Sequence, residues 1–276
     1  MIKKCLFPVA GYGTRFLPAT KSMPKEMLPV VNKPLVQYGV EEALDAGLTE
    51  IGFVTGRGKR AIADHFDVSY ELEHQIAGTS KERYLESIRK VMAQGSFSFT
   101  RQPEMCGLGD AILNGHRLIG DQPFGVVLSD DLCINQDGEG VLAQMVTLYK
   151  QFRCSIVAIQ EVPQDLIHNF GVIDGTSLKD GIIQISNMVE KPDAKDAPSN
   201  LAVIGRYILT PDIFDILRNT PPGKNGEVQL TDALMTQARN GCVMGYKFKG
   251  RRFDCGSVSG FVEATNFVYE NLYSES

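Results

Sequence analysis

Two cations, Arg15 and Lys25, flank or follow a glycine-rich turn, Ala10-Gly11-Tyr12-Gly13-Thr14-Arg15, placed directly after an apolar run ending at Val9. Glycine permits positive φ and close approach, so the backbone amides of such a turn can cradle phosphate oxygens. Arg15 offers a planar fork and Lys25 a compact point charge, a pair suited to a polyphosphate. Pro18, Pro24 and Pro29 stiffen the connection that carries Lys25. The spacing is not that of a P-loop, which needs glycine where Thr20 stands. Nor is it a dinucleotide fingerprint, which needs a small residue where Phe16 stands. Taken alone, the turn reads equally well as a plain tight turn.

Carboxylates come next. Val126-Val127-Leu128-Ser129-Asp130-Asp131 is an apolar run ending in two acids, one of which can project from a sheet's carboxyl edge toward a hard cation. Loop acids capping the next helix are the plainer reading, and the sequence does not say which carboxylate points inward. Glu190-Lys191-Pro192 sets opposite charges side by side at the end of a strand-like run, where a surface ion pair is the simplest explanation. Phe170-Gly171-Val172-Ile173 and Ala202-Val203-Ile204-Gly205 read as β-core. The four histidines, His65, His74, His116 and His168, fit neither a metal motif nor a nucleophile triad. No serine elbow occurs, because Val258 is central in Gly256-Ser257-Val258-Ser259-Gly260.

These groups need a scaffold, and its periodicity is clear. Strands are predicted at Lys4–Val9, Ile51–Thr55, Phe97–Arg101, Gly125–Leu128 and Ser155–Ile159. Helices are predicted at Pro34–Ala46, Lys59–Phe66, Lys81–Gln94, Leu108–Ile119 and Gly140–Phe152. This alternation implies βαβ units and a right-handed, doubly wound α/β sheet. After about residue 160 the pattern loosens into strands at Gly171–Ile173, Ile182–Val189 and Leu201–Leu209, with helices at Asp212–Arg218, Thr231–Asn240 and Ser259–Asn271. That half is expected to extend the sheet and build a lobe over its edge. Pro192–Asn200 and Pro221–Gly226 read as exposed loops.

At 276 residues, 43% hydrophobic and 22% charged, the chain is long enough to bury roughly three quarters of its unfolded surface. A formal net charge of -5 provides no sequence-wide basic field for a nucleic-acid backbone. The N-terminal apolar run is broken by Pro8 and Gly11, unlike a signal peptide, and no stretch of about 20 apolar residues predicts a spanning helix. The six cysteines are scattered without a C-x-x-C pair, which argues against a zinc or redox motif and for reduced thiols in the cytoplasm.

Gly11-x-Gly13-Thr14-Arg15-x-x-Pro18 followed by Pro24-Lys25 resembles the signature of the sugar-1-phosphate nucleotidyltransferases. Lys25-Glu26-Met27-Leu28-Pro29, with Asn200-Leu201-Ala202-Val203-Ile204-Gly205-Arg206-Tyr207, is similar to the bacterial UTP–glucose-1-phosphate uridylyltransferases. Thymidylyl relatives usually carry a Lys-Gln-Leu-Leu version instead. The resemblance runs from Phe7 to the region of Asp254, with its motifs in order.

What the resemblance implies is specific. The fold would be a mixed, mostly parallel doubly wound sheet, the Rossmann-like nucleotidyltransferase fold, with a small sugar-binding lobe. Residues 1–276 would form one domain, 1–160 mainly binding nucleotide and 161–276 mainly sugar phosphate. The activity would be transfer of UMP from UTP to glucose 1-phosphate. Arg15, Lys25 and Lys191 would be catalytic, with Ala10, Gly11, Gly13 and Thr14 on the phosphates. Gln102 and Gly107 would meet a pyrimidine edge, since an amide can donate and accept. Gly171, Val203 and Glu190 would meet the hexose. Mg²⁺ would bind Asp130 and Asp254, with Asp131 the other candidate beside the substrate. Relatives usually show His after the second glycine of Gly107-Leu108-Gly109, where this chain has Asp110. A cytoplasmic homo-oligomer, dimer or tetramer, is expected through the helical C-terminus Ser259–Tyr273, with neither nucleic acid nor membrane as partner. Two alternatives stay open: a thymidylyl- or other sugar-1-phosphate nucleotidyltransferase, and a catalytically silent nucleotide-sugar sensor.

Overall fold

The computed structural model describes residues 1–223 and 226–273; Lys224 and Asn225, in the predicted loop Pro221–Gly226, lie outside the described residues. Thirteen strands occur among the described residues. They are β1 (Lys4–Val9), the short β2 (Pro29–Val30) and β3 (Lys33–Pro34), β4 (Glu50–Thr55), β5 (Ser96–Arg101), β6 (Phe124–Val127), β7 (Asp131–Ile134), β8 (Ser155–Glu161), β9 (Gly171–Ser177), β10 (Ile182–Glu190), β11 (Leu201–Leu209), β12 (Val243–Lys247) and β13 (Arg251–Asp254).

The helices are α1 (Leu35–Asp45), α2 (Arg60–His65), α3 (Tyr70–Ile76), α4 (Glu86–Gln94), α5 (Leu108–Asn114), α6 (His116–Ile119), α7 (Val141–Phe152), α8 (Ile213–Asn219), α9 (Leu230–Asn240) and α10 (Val258–Asn271). Among the described residues none is long and apolar enough to cross a membrane.

Nine strands form one mixed sheet in the order β5-β4-β1-β6-β11-β8-β12-β10-β9. β5, β4, β1 and β6 are parallel, while β11 runs antiparallel between β6 and β8. β1 shows why: Cys5, Phe7 and Val9 face one core and Leu6 the other, the two-sided burial of an interior parallel strand. On the first face lie Val36 and Val40 of α1, Val91 of α4 and Met145 of α7. On the second lie Ile112 of α5, Ile119 of α6, Leu217 of α8 and Leu234 of α9. Helices thus cover both faces. β9 pairs with β10 and also with the start of β11, which builds the lobe.

The chain winds from β1 out to β4 and β5, then returns to β6 on the other side of β1. Strand order therefore reverses at β1, and an open α/β sheet offers its ligand crevice outside the carboxyl ends at that point.

Sequence expectations differ in several places: β12 and α3 were not among them, and β9 runs on from the predicted Gly171–Ile173 to Ser177. Lys81–Gln94 is a 3₁₀ segment, Ser80–Leu85, leading into α4. Leu108–Ile119 breaks at Gly115 into α5 and α6, with the Gly115 amide shared among the preceding turn's carbonyls. The antiparallel pair β7–β13 was not predicted, being four residues a strand and hidden inside the Asp131 and Asp254 motifs.

Candidate active site

Gly13 lies in the left-handed region at φ 66°, ψ 34°, which turns the chain sharply after β1. A Cβ there would sit 2.9 Å from Lys25 Cβ, so the turn and the Lys25 stem are packed together. Thr20 Oγ1 donates to the Gly13 carbonyl at 2.7 Å, closing the loop 13–20 that carries Arg15. Around Gly11 there is open space, leaving that stretch of backbone accessible. The short turn Lys25–Met27 is anchored by its neighbour Glu26, 1% exposed, which accepts from Lys59 Nζ at 2.7 Å. Burial raises the Glu26 pKa, opposed by Lys59 and then Lys25.

Lys25 Nζ donates to Asp130 Oδ2 at 2.5 Å. Burial alone would lower the Lys25 pKa, but Asp130 and then Glu26 outweigh it and raise it. For Asp130, burial pushes the pKa up, yet Lys25, with Arg15 adding, holds it below the ordinary carboxylate value. Gly256 shows how tightly charge converges here. A Cβ on it would lie 3.0 Å from Asp254 Oδ1, 3.1 Å from Arg15 Nη2 and 3.2 Å from Asp130 Oδ2. Two carboxylates and a guanidinium therefore surround a space that exists because residue 256 has no side chain.

Asp131, the other acid of the pair, is engaged within the protein. As the first residue of β7 its carboxylate turns away from Asp130: Oδ1 accepts from Arg252 Nε at 2.5 Å and Oδ2 from the Gly205 amide at 2.7 Å. It is buried, and burial raises its pKa against the pull of Arg252. Both oxygens are engaged in joining β7 to β13 and β11. Arg252 also stands 4.0 Å from Asp254 Oδ1 and stacks 5.2 Å from the centre of the Phe170 ring. It links the carboxylate cluster to the lobe.

On the lobe side, Gly171 and Glu190 are register partners of β9 and β10. Glu190 Oε2 accepts from Thr231 Oγ1 at 2.6 Å, and Oε1 lies 3.1 Å from Lys191 Nζ. A Cβ on Gly171 would meet Thr231 Oγ1 at 3.0 Å and Glu190 Oε2 at 3.2 Å, which places the three together. Lys191 holds φ 45°, a left-handed conformation uncommon for a residue with a side chain, with its amide donating to Phe170 at 2.9 Å. Val203 sits where β11 is irregular between its pairings with β8, beside Ala202, which pairs with Val172. Tyr207 is buried, and burial, then the charges of Asp131, Glu190 and Asp130, raise its pKa.

On the far side of the glycine turn, the Gln102 amide continues the β4–β5 ladder by donating to Thr55 at 2.9 Å. Its side-chain Nε2 donates to Asp110 Oδ2 at 2.6 Å and to the Gly107 carbonyl at 3.2 Å. Gly56, after β4, joins this region to the turn: a Cβ on it would meet the Ala10 carbonyl at 2.9 Å and Met105 Cε at 3.2 Å. Thr14 and Ala10 lie in the same turn, Thr14 exposed and Ala10 buried.

The profile of the nucleotidyl transferase family matches residues 8–271, almost the full chain. The chain belongs to the nucleotidyl transferase family. It is 69% identical over 273 residues to a UTP–glucose-1-phosphate uridylyltransferase of Pseudomonas aeruginosa, covering 99% of this chain and 98% of that protein. A crystal structure of apo UDP-glucose pyrophosphorylase superposes with a TM-score of 0.95 at 59% identity, covering 99% of this chain and 100% of that one. A UDP-glucose pyrophosphorylase complexed with UDP-glucose gives a TM-score of 0.92 at 57% identity, covering 98% and 99%.

For a nucleotidyltransferase the donor set is telling. Among the described residues no group of three or more histidine, cysteine or acidic side chains could hold a metal by itself. Asp130 and Asp254 supply two carboxylate oxygens around the Gly256 space, which fits a hard cation completed by phosphate oxygens rather than a closed protein cage. Lys59, Thr231 and Arg252 were not singled out from the sequence for roles here. Arg252 alone left a signal, its place two residues before Asp254. Thr231 and Lys59 act through contacts far apart in the chain, which no local pattern encodes.

Proposed function

We propose that this chain transfers UMP from UTP to glucose 1-phosphate, forming UDP-glucose and releasing pyrophosphate. The observation that carries this reading is the convergence of Asp130, Asp254, Arg15 and Lys25 around Gly256, at the reversal point of the sheet. The names of the similar proteins support the choice of nucleotide and sugar.

The glycine turn presents backbone amides to the triphosphate, and Arg15 and Lys25 face the charge that moves onto the leaving pyrophosphate. Lys191 holds the phosphate of glucose 1-phosphate, and Glu190, fixed by Thr231, accepts from sugar hydroxyls. The attacking phosphate oxygen is already an anion near neutral pH, so the protein need not supply a strong base. Its task is to align two mutually repelling anions for in-line attack on the α-phosphorus, with no covalent enzyme intermediate. Mg²⁺ held by Asp130 and Asp254 would neutralise phosphate charge and orient the α-phosphate.

Residues 1–276 are read as one domain whose first 160 residues mainly bind nucleotide and whose remainder mainly binds sugar phosphate. Val258, Val262 and Tyr269 are exposed apolar residues on α10, followed by exposed Leu272 at its end, which supports assembly into a homo-oligomer. Six free cysteines and an acidic chain support a cytoplasmic enzyme of small-molecule substrates, bound to neither nucleic acid nor membrane.

Pyrophosphate release from UTP, dTTP, ATP, CTP and GTP, each with glucose 1-phosphate and Mg²⁺, tests the assignment. UTP should dominate and need both sugar phosphate and metal. Preference for dTTP would move the chain to the thymidylyl enzymes, and UDP-glucose binding without turnover would make it a sensor.

A further inference from the structure

The Gln102 amide has one chemically allowed orientation. Asp110 Oδ2, 2.6 Å from Gln102 Nε2, also accepts from Asn114 Nδ2 at 3.1 Å, so it is met by donors on both sides. An ionised carboxylate can only accept. Reversing the amide would set Gln102 Oε1 against Asp110 Oδ2 and against the Gly107 carbonyl, now 3.2 Å from Nε2, leaving three acceptors facing one another. Both amide hydrogens are thus engaged within the protein. Gln102 is 4% exposed, and among the described residues its Oε1 accepts no hydrogen bond from a side chain, nor is it among the fully buried, unpartnered oxygens. Among the described residues it is the one polar atom of that side chain left without a protein partner, just past the end of β5, whose neighbour β4 leads into Gly56 beside the Ala10 carbonyl.

We propose that Asp110 is a positioning residue for nucleotide choice: by holding the Gln102 amide with its oxygen outward, it makes the base site accept an imide N–H. The N3–H of uracil or thymine meets that oxygen as a donor. Cytosine presents an acceptor at N3, and the two lone pairs would face each other. Gln102 cannot turn over to suit cytosine without opposing Asp110, so discrimination is built in by a neighbour that never touches the base. A histidine at this position can serve the same end in its neutral form by offering an acceptor nitrogen. The inference rests on the reading of this cleft as the base site of a uridylyltransferase.

Steady-state kinetics with UTP, dTTP and CTP test it in the full-length enzyme and in Asp110→Asn and Asp110→His at about pH 8, where an ordinary histidine is neutral. Asparagine can turn either way, which removes the charged part of the restraint on Gln102 and leaves the Gly107 carbonyl, at 3.2 Å, as the weaker remainder. In Asp110→Asn the ratio of kcat/KM for UTP over CTP should fall about 10- to 100-fold. UTP and dTTP should weaken together through KM, and the KM for glucose 1-phosphate should stay unchanged. Asp110→His should keep most of the ratio. An equal loss for UTP and CTP, or a lowered melting temperature with an unchanged ratio, would overturn the positioning role while leaving the uridylyltransferase reading intact. Absence of UTP turnover by the unaltered enzyme would instead overturn that reading, and this inference with it.

Discussion

Lys25 spans the cleft to donate a 2.5 Å hydrogen bond to Asp130 Oδ2, the same oxygen that faces Asp254 and Arg15 across Gly256. In the proposed reaction the lysine serves phosphate, and the carboxylate serves a metal. Each balances the other's charge, which keeps two partly buried charges paired.

Replacing Lys25 with alanine removes a preorganised cation from the leaving group and leaves Asp130 without its closest partner. Turnover should fall about 100- to 1000-fold. Arginine at the same position should not restore it, because a planar fork cannot occupy the site of the compact ammonium that lies 2.5 Å from Asp130 Oδ2. The check is kcat at saturating UTP and glucose 1-phosphate.

The same pair sets a pH window for stability. Asp130 ionises below its ordinary 3.8, so its contribution is full above that value and is lost as pH falls through the folded pKa. Lys25 is raised above its ordinary 10.5, so its contribution is full below that value and is lost as pH rises through the folded pKa. The difference in unfolding free energy between wild type and Asp130→Asn should therefore be flat from about pH 5 to about pH 9 and shrink in more acidic buffer. Urea titrations across this range read it directly, and a difference that grows on acidification would contradict the pairing.

Gly256→Ala should act on the metal rather than on the fold. Its Cβ would enter the space between Asp254 Oδ1, Arg15 Nη2 and Asp130 Oδ2, at 3.0, 3.1 and 3.2 Å. The half-saturating Mg²⁺ concentration should rise and kcat fall, by about 10- to 100-fold in their combined effect. Thermal unfolding without metal should be little changed.

Asp131→Asn tests the division of labour between adjacent acids. Asp131 pairs with Arg252 and caps the Gly205 amide away from the Asp130 oxygen. Losing one partner of a buried ion pair costs about 3 kcal/mol, so the urea midpoint should drop while the metal dependence stays close to wild type. A large shift in metal dependence with an unchanged midpoint would return Asp131 to the substrate side.

The legibility of this chain followed the range of the interactions. β1 and β11 begin and end where the apolar runs predict, because a strand buried on both faces is written in consecutive residues. Gly115, inside an otherwise helical pattern, ended α5 where periodicity alone continued it. The glycine turn and its two cations stand out from local spacing, which alone fits a plain tight turn equally well. Which of Asp130 and Asp131 faces the cleft was not. That is settled by Arg252, 121 residues downstream, and by the Gly205 amide, 74 residues downstream. Thr231, 41 residues from Glu190, was invisible for the same reason. The orientation of Gln102 depended on Asp110, noticed in the sequence as a departure whose partner only the fold revealed.

Phosphorus NMR of UTP and glucose 1-phosphate incubated with the enzyme and Mg²⁺ tests the central claim most directly. UDP-glucose and pyrophosphate should appear in equal amounts, and both should vanish when glucose 1-phosphate is omitted or the metal is chelated. UDP with inorganic phosphate, or UMP with pyrophosphate and no sugar nucleotide, would show that the charged cleft around Gly256 cleaves nucleotide without joining it to sugar, and would contradict the account.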